Sequence, residues 1–285
     1  MCEVTDMDNR LISKLVHCTV RITTKTSNDM SKVGTGFYMA FLHNEKQSVP
    51  VIVTNRHVIE DAIIGYICFT LADNNGNPSF GKQYTFSIDD FSSQCILHPD
   101  RSVDLAVFPV GGLLNNAKNA GIEPFYQTLS MTLIPSQAER ATYSTIEDVI
   151  MIGYPNGLWD STNNLPVIRK GITATHPNIN FNGKPEFLTD IASFGGSSGS
   201  PVFIYNEGGY LDNNGNMLIG QSRLSLIGVH YAGTQSNIRG EIVIVTEPNA
   251  AKPIASTNIP NNIGVVINSN KIIDLEHEVK RKLNM

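Results

Sequence analysis

Val16-His17-Cys18-Thr19-Val20-Arg21-Ile22 alternates apolar and polar side chains with a period of two. In an extended chain that places Val16, Cys18, Val20 and Ile22 on one face. The same short-strand character returns in GFYMAFL at 36–42, VPVIVT at 49–54, YICFTLA at 66–72, QYTFSI at 83–88, DLAVFPV at 104–110 and DVIMIGY at 148–154. It continues in PVIRKGITAT at 166–175, EFLTDI at 186–191, SPVFIY at 200–205, LSLIGVHY at 224–231, EIVIVTE at 241–247 and IGVVIN at 263–268. Turns rich in Asn, Gly, Pro and Asp separate these runs, and helical periodicity is scarce. The reading is all-β, built as barrels or sandwiches rather than a parallel sheet with crossover helices.

Weaker strand character from about Gly111 to Glu147 divides the chain into two strand-rich halves. The expected organisation is an N-terminal unit at 12–112, a linker at 113–147, a C-terminal unit at 148–270 and a helix at 271–285. In that helix Ile272, Ile273, Leu275 and Val279 fall near one face. The polar stretch from Asn206 to Arg223 reads as an extended hairpin between core strands.

The chain has 285 residues, 41% of them hydrophobic, enough for a substantial core. A net charge of -5 and no Lys/Arg cluster leave no footprint for a nucleic acid. The first residues lack the apolar run of a secretory signal, and no later segment is long and apolar enough to cross a bilayer. The expectation is a soluble cytoplasmic protein without a membrane partner. Cys2, Cys18, Cys68 and Cys95 are scattered without metal-ligand spacing and read as buried reduced thiols. Neither a metal nor a cofactor is expected, because H-x-x-x-H and clustered Cys/His motifs are missing from the sequence.

The strongest local signal is Gly195-Gly196-Ser197-Ser198-Gly199-Ser200-Pro201. A glycine-rich turn can lift a serine hydroxyl free of the chain and aim several N–H groups at one point. Ser198 is the candidate nucleophile, and the N–H groups of Gly196 and Ser198 are the candidate oxyanion donors. A serine needs a base. His57 follows the apolar strand VPVIVT in a short polar turn, where a side chain can face a cleft. The base needs a carboxylate to hold its tautomer. Asp104 heads the run DLAVF and would stand at a strand mouth, whereas its rival Asp100 lies in the turn HPDRS.

These residues, with Gly34-Thr35-Gly36-Phe37 before them and Ile152-Gly153-Tyr154-Pro155 plus Gly157 between, resemble the chymotrypsin-like (trypsin-like) serine peptidases, especially the bacterial trypsin-like and glutamyl-endopeptidase branches. T-N-x-H-V matches Thr54 to Val58, D-L-A-V matches Asp104 to Val107, and G-x-S-G-x-P matches Gly196 to Pro201, with Ser200 at a position that is often glycine. The resemblance implies two six-stranded antiparallel β-barrels with a triad of His57, Asp104 and Ser198 between them, acting on a protein or peptide substrate. Secreted members usually bracket the histidine with a disulfide, and His57 has no neighbouring Cys.

The resemblance also implies a specificity pocket walled by the segments Asp190 to Gly195 and Gly228 to Gly233. There Ser193, Gly228 and His230 would contact substrate, and the substrate backbone would pair with the second segment as an added strand. Two hydrogen-bonding side chains, Ser193 and His230, suit Glu or Gln at P1. Asp190 lies too far upstream of Ser198 to select Lys or Arg. The rival reading is a latent enzyme awaiting an activating partner protein, or a pseudoprotease scaffold.

Overall fold

The computed structural model describes residues 11–43, 48–212, 215–241 and 254–284. The run EIVIVTE lies almost wholly outside them, and so does Cys2. Nine strands form the first sheet: β1 (Thr19–Thr26), β2 (Ser31–Phe41), β3 (Val49–Thr54), β4 (Ala62–Ala72), β5 (Pro78–Asp89), β6 (Ile96–Leu97), β7 (Ala106–Pro109), β8 (Pro124–Phe125) and β9 (Leu129–Ser130). Their order is β5-β4-β1-β2-β3-β7-β6, with β8 against β4 and β9 against β2. The second unit contains β10 (Asp148–Gly153), β11 (Val167–Thr173), β12 (Glu186–Asp190), β13 (Pro201–Asn206), β14 (Gly209–Leu211), β15 (Met217–Ile219), β16 (Arg223–Glu241) and β17 (Ile254–Asn268). Six of these close into a barrel, β10-β11-β12-β17-β16-β13, while β14 and β15 pair as the expected hairpin.

The architecture is the all-β pair that the sequence implies, with differences of detail. The first sheet follows an open path of seven strands, and the second is a closed six-stranded barrel. β1 begins at Thr19, so Val16 precedes the strand and is only half-buried, whereas Cys18, Val20 and Ile22 are buried. The stretch 113–147 contributes β8 and β9 to the first sheet rather than merely joining two units. Alternation divides β1 between interior and exterior, whereas most of β3, β10 and β13 is buried on both faces.

Three apolar clusters result. One fills the first unit around Ile22, Ile52, Ile67, Phe69 and Phe91, and one fills the second around Val149, Phe187, Val202 and Val266. The third lies between them, joining Phe37, Met39, Phe41 and Val53 of the first unit to Ile152, Phe203, Val229 and Ile267 of the second. The C-terminal helix Lys271–Lys282 seals this third cluster with Ile272, Leu275 and Val279, all fully buried. Ile273 departs from the expected face and is 37% exposed, because 100° per residue carries it off the stripe that its neighbours share. Glu276 accepts a hydrogen bond from the Leu42 N–H at 2.7 Å, tying the helix to the end of β2.

Candidate active site

β3 ends at Thr54, and the chain turns at once into the short helix Arg56–Ile59. That helix buries Val58 and Ile59 and leaves His57 facing outward, with its side chain 45% exposed. His57 Nδ1 lies 2.5 Å from Asp104 Oδ2, and the His57 backbone N–H donates to Asp104 Oδ1 at 3.0 Å. The Asn55 side-chain amide donates to the Asp104 carbonyl at 2.7 Å, so the loop before β7 is held from both sides. Burial raises the Asp104 pKa, but the hydrogen bonds from the His57 ring and N–H and the nearby positive charges outweigh it and hold the carboxyl below its ordinary value. Asp100 instead caps its own turn, accepting from the Ser102 N–H and hydroxyl.

Ser198 reaches the same place from the second unit. A crevice of about 450 Å³ is lined by His57, Ser198, Gly195, Gly196, Asn156, Gly157 and Lys32 among others. The turn that carries Ser198 has two glycines in the left-handed region, Gly196 at φ +84° and Gly199 at φ +87°. A Cβ on Gly196 would come within 2.5 Å of the Tyr154 carbonyl, and one on Gly199 within 1.9 Å of the Thr35 carbonyl. Only glycine fits both. The Asn156 N–H donates to the Gly195 carbonyl, which draws that oxygen toward the 154–157 loop. Among the described residues, the N–H groups of Gly196 and Ser198 donate to no other backbone group. The Ser198 hydroxyl donates to the Tyr231 carbonyl at 3.2 Å. Tyr231 sits at a bulge in the β16–β17 pairing, which re-aims its carbonyl.

Thr35, the variable position between Gly34 and Gly36, is a residue that sequence reasoning missed. Fully buried on β2, it receives the Tyr154 N–H at 3.1 Å and donates its hydroxyl to the Gly196 carbonyl at 2.9 Å. Its backbone N–H donates to the Ser198 carbonyl at 2.8 Å. One threonine of the first unit therefore grips the serine turn of the second at two points. A threonine in place of an apolar residue, flanked by glycines in a core strand, is the signal that could have found it. Ser200, at the position where glycine is common, finds its space elsewhere: a Cβ on Gly153 would stand 2.0 Å from its hydroxyl.

Ser193 and His230 form a separate, buried pair, with Ser193 Oγ 2.7 Å from His230 Nε2. They are 4% and 1% exposed, so both lie beneath the surface of the crevice rather than lining it. Burial lowers the His230 pKa to about 4, with smaller contributions from His57 and Arg169, so the ring is neutral near pH 7. Arg169 stands over the Phe194 ring and donates to the Ala192 carbonyl at 2.5 Å. Gly233 packs closely against Ser193, since a Cβ there would fall 2.8 Å from its hydroxyl.

Gly228 does not reach the crevice. Its backbone pairs with Val202 on one side and Asn268 on the other, and its missing side chain faces Phe187 and Val266 inside the barrel wall. The pairing with β13 begins at Pro201↔Val229, and His230 is engaged by Gly199 and Ser200. Only Tyr231 to Gly233 of the expected substrate-pairing segment therefore keeps an unpaired edge among the described residues.

The family model for the trypsin-like peptidase domain matches residues 34–211, more than half of the chain, and the chain belongs to that family. Among solved structures it is similar to the HtrA-type protease AlgW with tripeptide, at 15% identity and TM-score 0.46, over 94% of this chain and 61% of that one. It is also similar to a serine endoprotease from Yersinia pestis, at 18% identity and TM-score 0.47, over 95% of this chain and 65% of that one. The chain thus spans less than two thirds of the length of either protease. A search of curated protein sequences finds no match. Among the described residues no helix is long and apolar enough to cross a membrane.

Proposed function

We propose that the chain is a serine endopeptidase working through an acyl-enzyme, with Ser198 as nucleophile, His57 as general base and Asp104 as the carboxylate that orients it. The observation that carries this reading is the pairing of His57 Nδ1 with Asp104 at 2.5 Å while Nε2 is left toward the crevice that Ser198 shares. For catalysis the Ser198 hydroxyl must leave the Tyr231 carbonyl and donate to that nitrogen instead. Such tightening on substrate binding is common, since catalytic hydrogen bonds are often loose in free enzymes.

His57 then takes the hydroxyl proton as Oγ attacks the peptide carbonyl. The oxyanion settles on the Gly196 and Ser198 N–H groups, and His57 returns the proton to the leaving amine. Water repeats the sequence on the acyl-enzyme. Substrate pairs with the edge at Tyr231 to Gly233, and its P1 side chain is directed toward the wall that covers Ser193 and His230. A neutral imidazole and a hydroxyl behind that wall favour Glu or Gln, and the Arg169 charge adds to the attraction for Glu. The reduced Cys18, Cys68 and Cys95 support a cytoplasmic setting.

Labelling with a fluorophosphonate probe, read by mass spectrometry against Ser198→Ala, tests the proposal. Label on Ser198 that vanishes in the variant is the expected result. Folded protein that takes no label overturns it, in favour of a latent or pseudoprotease form in which Ser198 stays on Tyr231.

A further inference from the structure

On the outer face of β1, Arg21 and Thr23 alternate with the buried Val20 and Ile22. Across the sheet Thr23 pairs with Tyr66 and Cys68 with Thr85, so Tyr66 and Thr85 stand in the same outward rows. The loop that follows β10 folds over this face and places the Trp159 ring on Arg21, with Cζ 4.2 Å from the ring centroid. Beneath it lies a cavity of about 190 Å³, lined by Arg21, Thr23, Tyr66, Thr85, Gln83 and Trp159 among others. Two of its polar atoms, Arg21 Nε and Thr23 Oγ1, are buried without a hydrogen-bond partner. Arg21 forms no ion pair among the described residues, and its electrostatic neighbours are the Cys68 thiol and the Tyr154 hydroxyl.

A partly desolvated guanidinium with no counter-charge is costly, and buried polar groups are ordinarily satisfied. Both conditions lift if an anion enters. A guanidinium stacked on an aromatic face keeps its edge free, and that edge matches the two oxygens of a carboxylate. The cavity is smaller than a typical drug-sized site of roughly 300 Å³ or more, which limits the guest to a small acid or the end of a chain. We infer that the Arg21–Trp159 cavity is a carboxylate-binding site, distinct from the crevice that holds Ser198.

The site touches the 154–157 loop, which packs on the serine turn. A Cβ on Gly157 would fall 3.7 Å from Arg21 Nη2, and Gly157 also lines the crevice. Its N–H lies 3.2 Å from where a Gly196 Cβ would stand, and its neighbour Asn156 holds the Gly195 carbonyl. A carboxylate that fixes Arg21 and Trp159 therefore bears on the segment that sets the Gly195–Gly196 peptide, and binding is linked to the readiness of Ser198. This second step rests on the peptidase reading; the binding site does not.

Trp159 is the only tryptophan in the chain, so its fluorescence reports the cavity directly. Succinate, inorganic phosphate, and a tripeptide with free or amidated C-terminus are titrated at constant ionic strength against chloride. A saturable change with succinate or the free-ended tripeptide, absent with chloride and lost in Arg21→Gln, is the expected result. Saturation by the free-ended but not the amidated tripeptide assigns the source to a chain end, and saturation by succinate alone assigns it to a small acid. A flat titration, an unchanged response in Arg21→Gln, or saturation by phosphate alone overturns the inference.

Should Arg21→Gln fail to fold, Thr23→Val keeps the charge and removes only the orphaned hydroxyl. It is expected to weaken binding several-fold without loss of thermal stability, and unchanged affinity counts against the site. The fluorophosphonate labelling rate of the wild-type chain is expected to shift several-fold on saturation. Saturable fluorescence with an unchanged labelling rate refutes the coupling. Saturable fluorescence with no label in any state refutes the peptidase reading, and the coupling with it, and leaves the site standing.

Discussion

His57 and His230 flank one serine turn and differ in almost every respect that governs an imidazole. The His57 side chain is 45% exposed, with a carboxylate on Nδ1, whereas His230 is 1% exposed, with a serine hydroxyl on Nε2 and no partner on Nδ1. One sits on a short helix at a strand end, the other inside a barrel strand paired on both sides. His57 stands against a carboxylate, whereas imidazolium on His230 would meet desolvation and the positive fields of His57 and Arg169. The same side chain is thereby placed in two environments, one open to the crevice beside a carboxylate and one desolvated and neutral near pH 7.

The contrast breaks hardest at His57. His57→Ala is expected to lower kcat about 10⁶-fold on every substrate, and Asp104→Asn about 10⁴-fold, as when a triad loses its base or its tautomer control. Steady-state kinetics on a peptide panel reads both. Equal losses from His57→Ala and His230→Ala would dissolve the distinction between them.

Much of the His57 side was legible in the chain. An apolar strand ending at Thr54, an imidazole three residues on, and a carboxylate at the head of DLAVF are local patterns, and each needs only its own few residues to be seen. The glycines at 196 and 199 were legible for the same reason, as positions in a turn. The His230 side was legible only as residue types. That Ser193 and His230 turn inward together depends on the bulge at Tyr231 and on pairing between strands 30 residues or more apart, which no local period encodes. Thr35 escaped for a similar reason, since its partners Tyr154, Gly196 and Ser198 belong to the other unit. Gly228 was misplaced because a motif gives the order of residues along a strand but not which edge is already paired.

Stability against pH sharpens the comparison next. The His230 pKa falls from 6.5 in the unfolded chain to about 4 in the fold, so between those values the unfolded chain binds more protons. Its contribution is complete above pH 6.5 and is lost as pH falls through 6.5 toward 4, by up to about 3 kcal/mol at about 1.4 kcal/mol per pH unit. His17, buried and likewise lowered to about 4, acts in the same direction. Urea unfolding from pH 7 to pH 4 is expected to show this decline, with a shallower slope in His230→Gln. An identical slope in the variant would mean that His230 titrates normally in the fold.

The smallest expected effect is the most specific to the pocket. His230→Gln keeps a polar group at the buried position but replaces a ring held by Ser193 with a flexible amide. It is expected to lower kcat/KM for Glu and Gln at P1 by about 10- to 100-fold, because a site built to hydrogen-bond a substrate loses discrimination when its partner is mis-set. Cleavage after Ala would change little, since a small side chain stops short of Ser193. Arg169→Gln separates the acid from the amide: it should cost Glu more than Gln, as only the carboxylate carries charge toward that guanidinium. A uniform loss across Glu, Gln and Ala in His230→Gln would instead make His230 a structural residue of the barrel wall, and would leave specificity to the open edge at Tyr231 to Gly233.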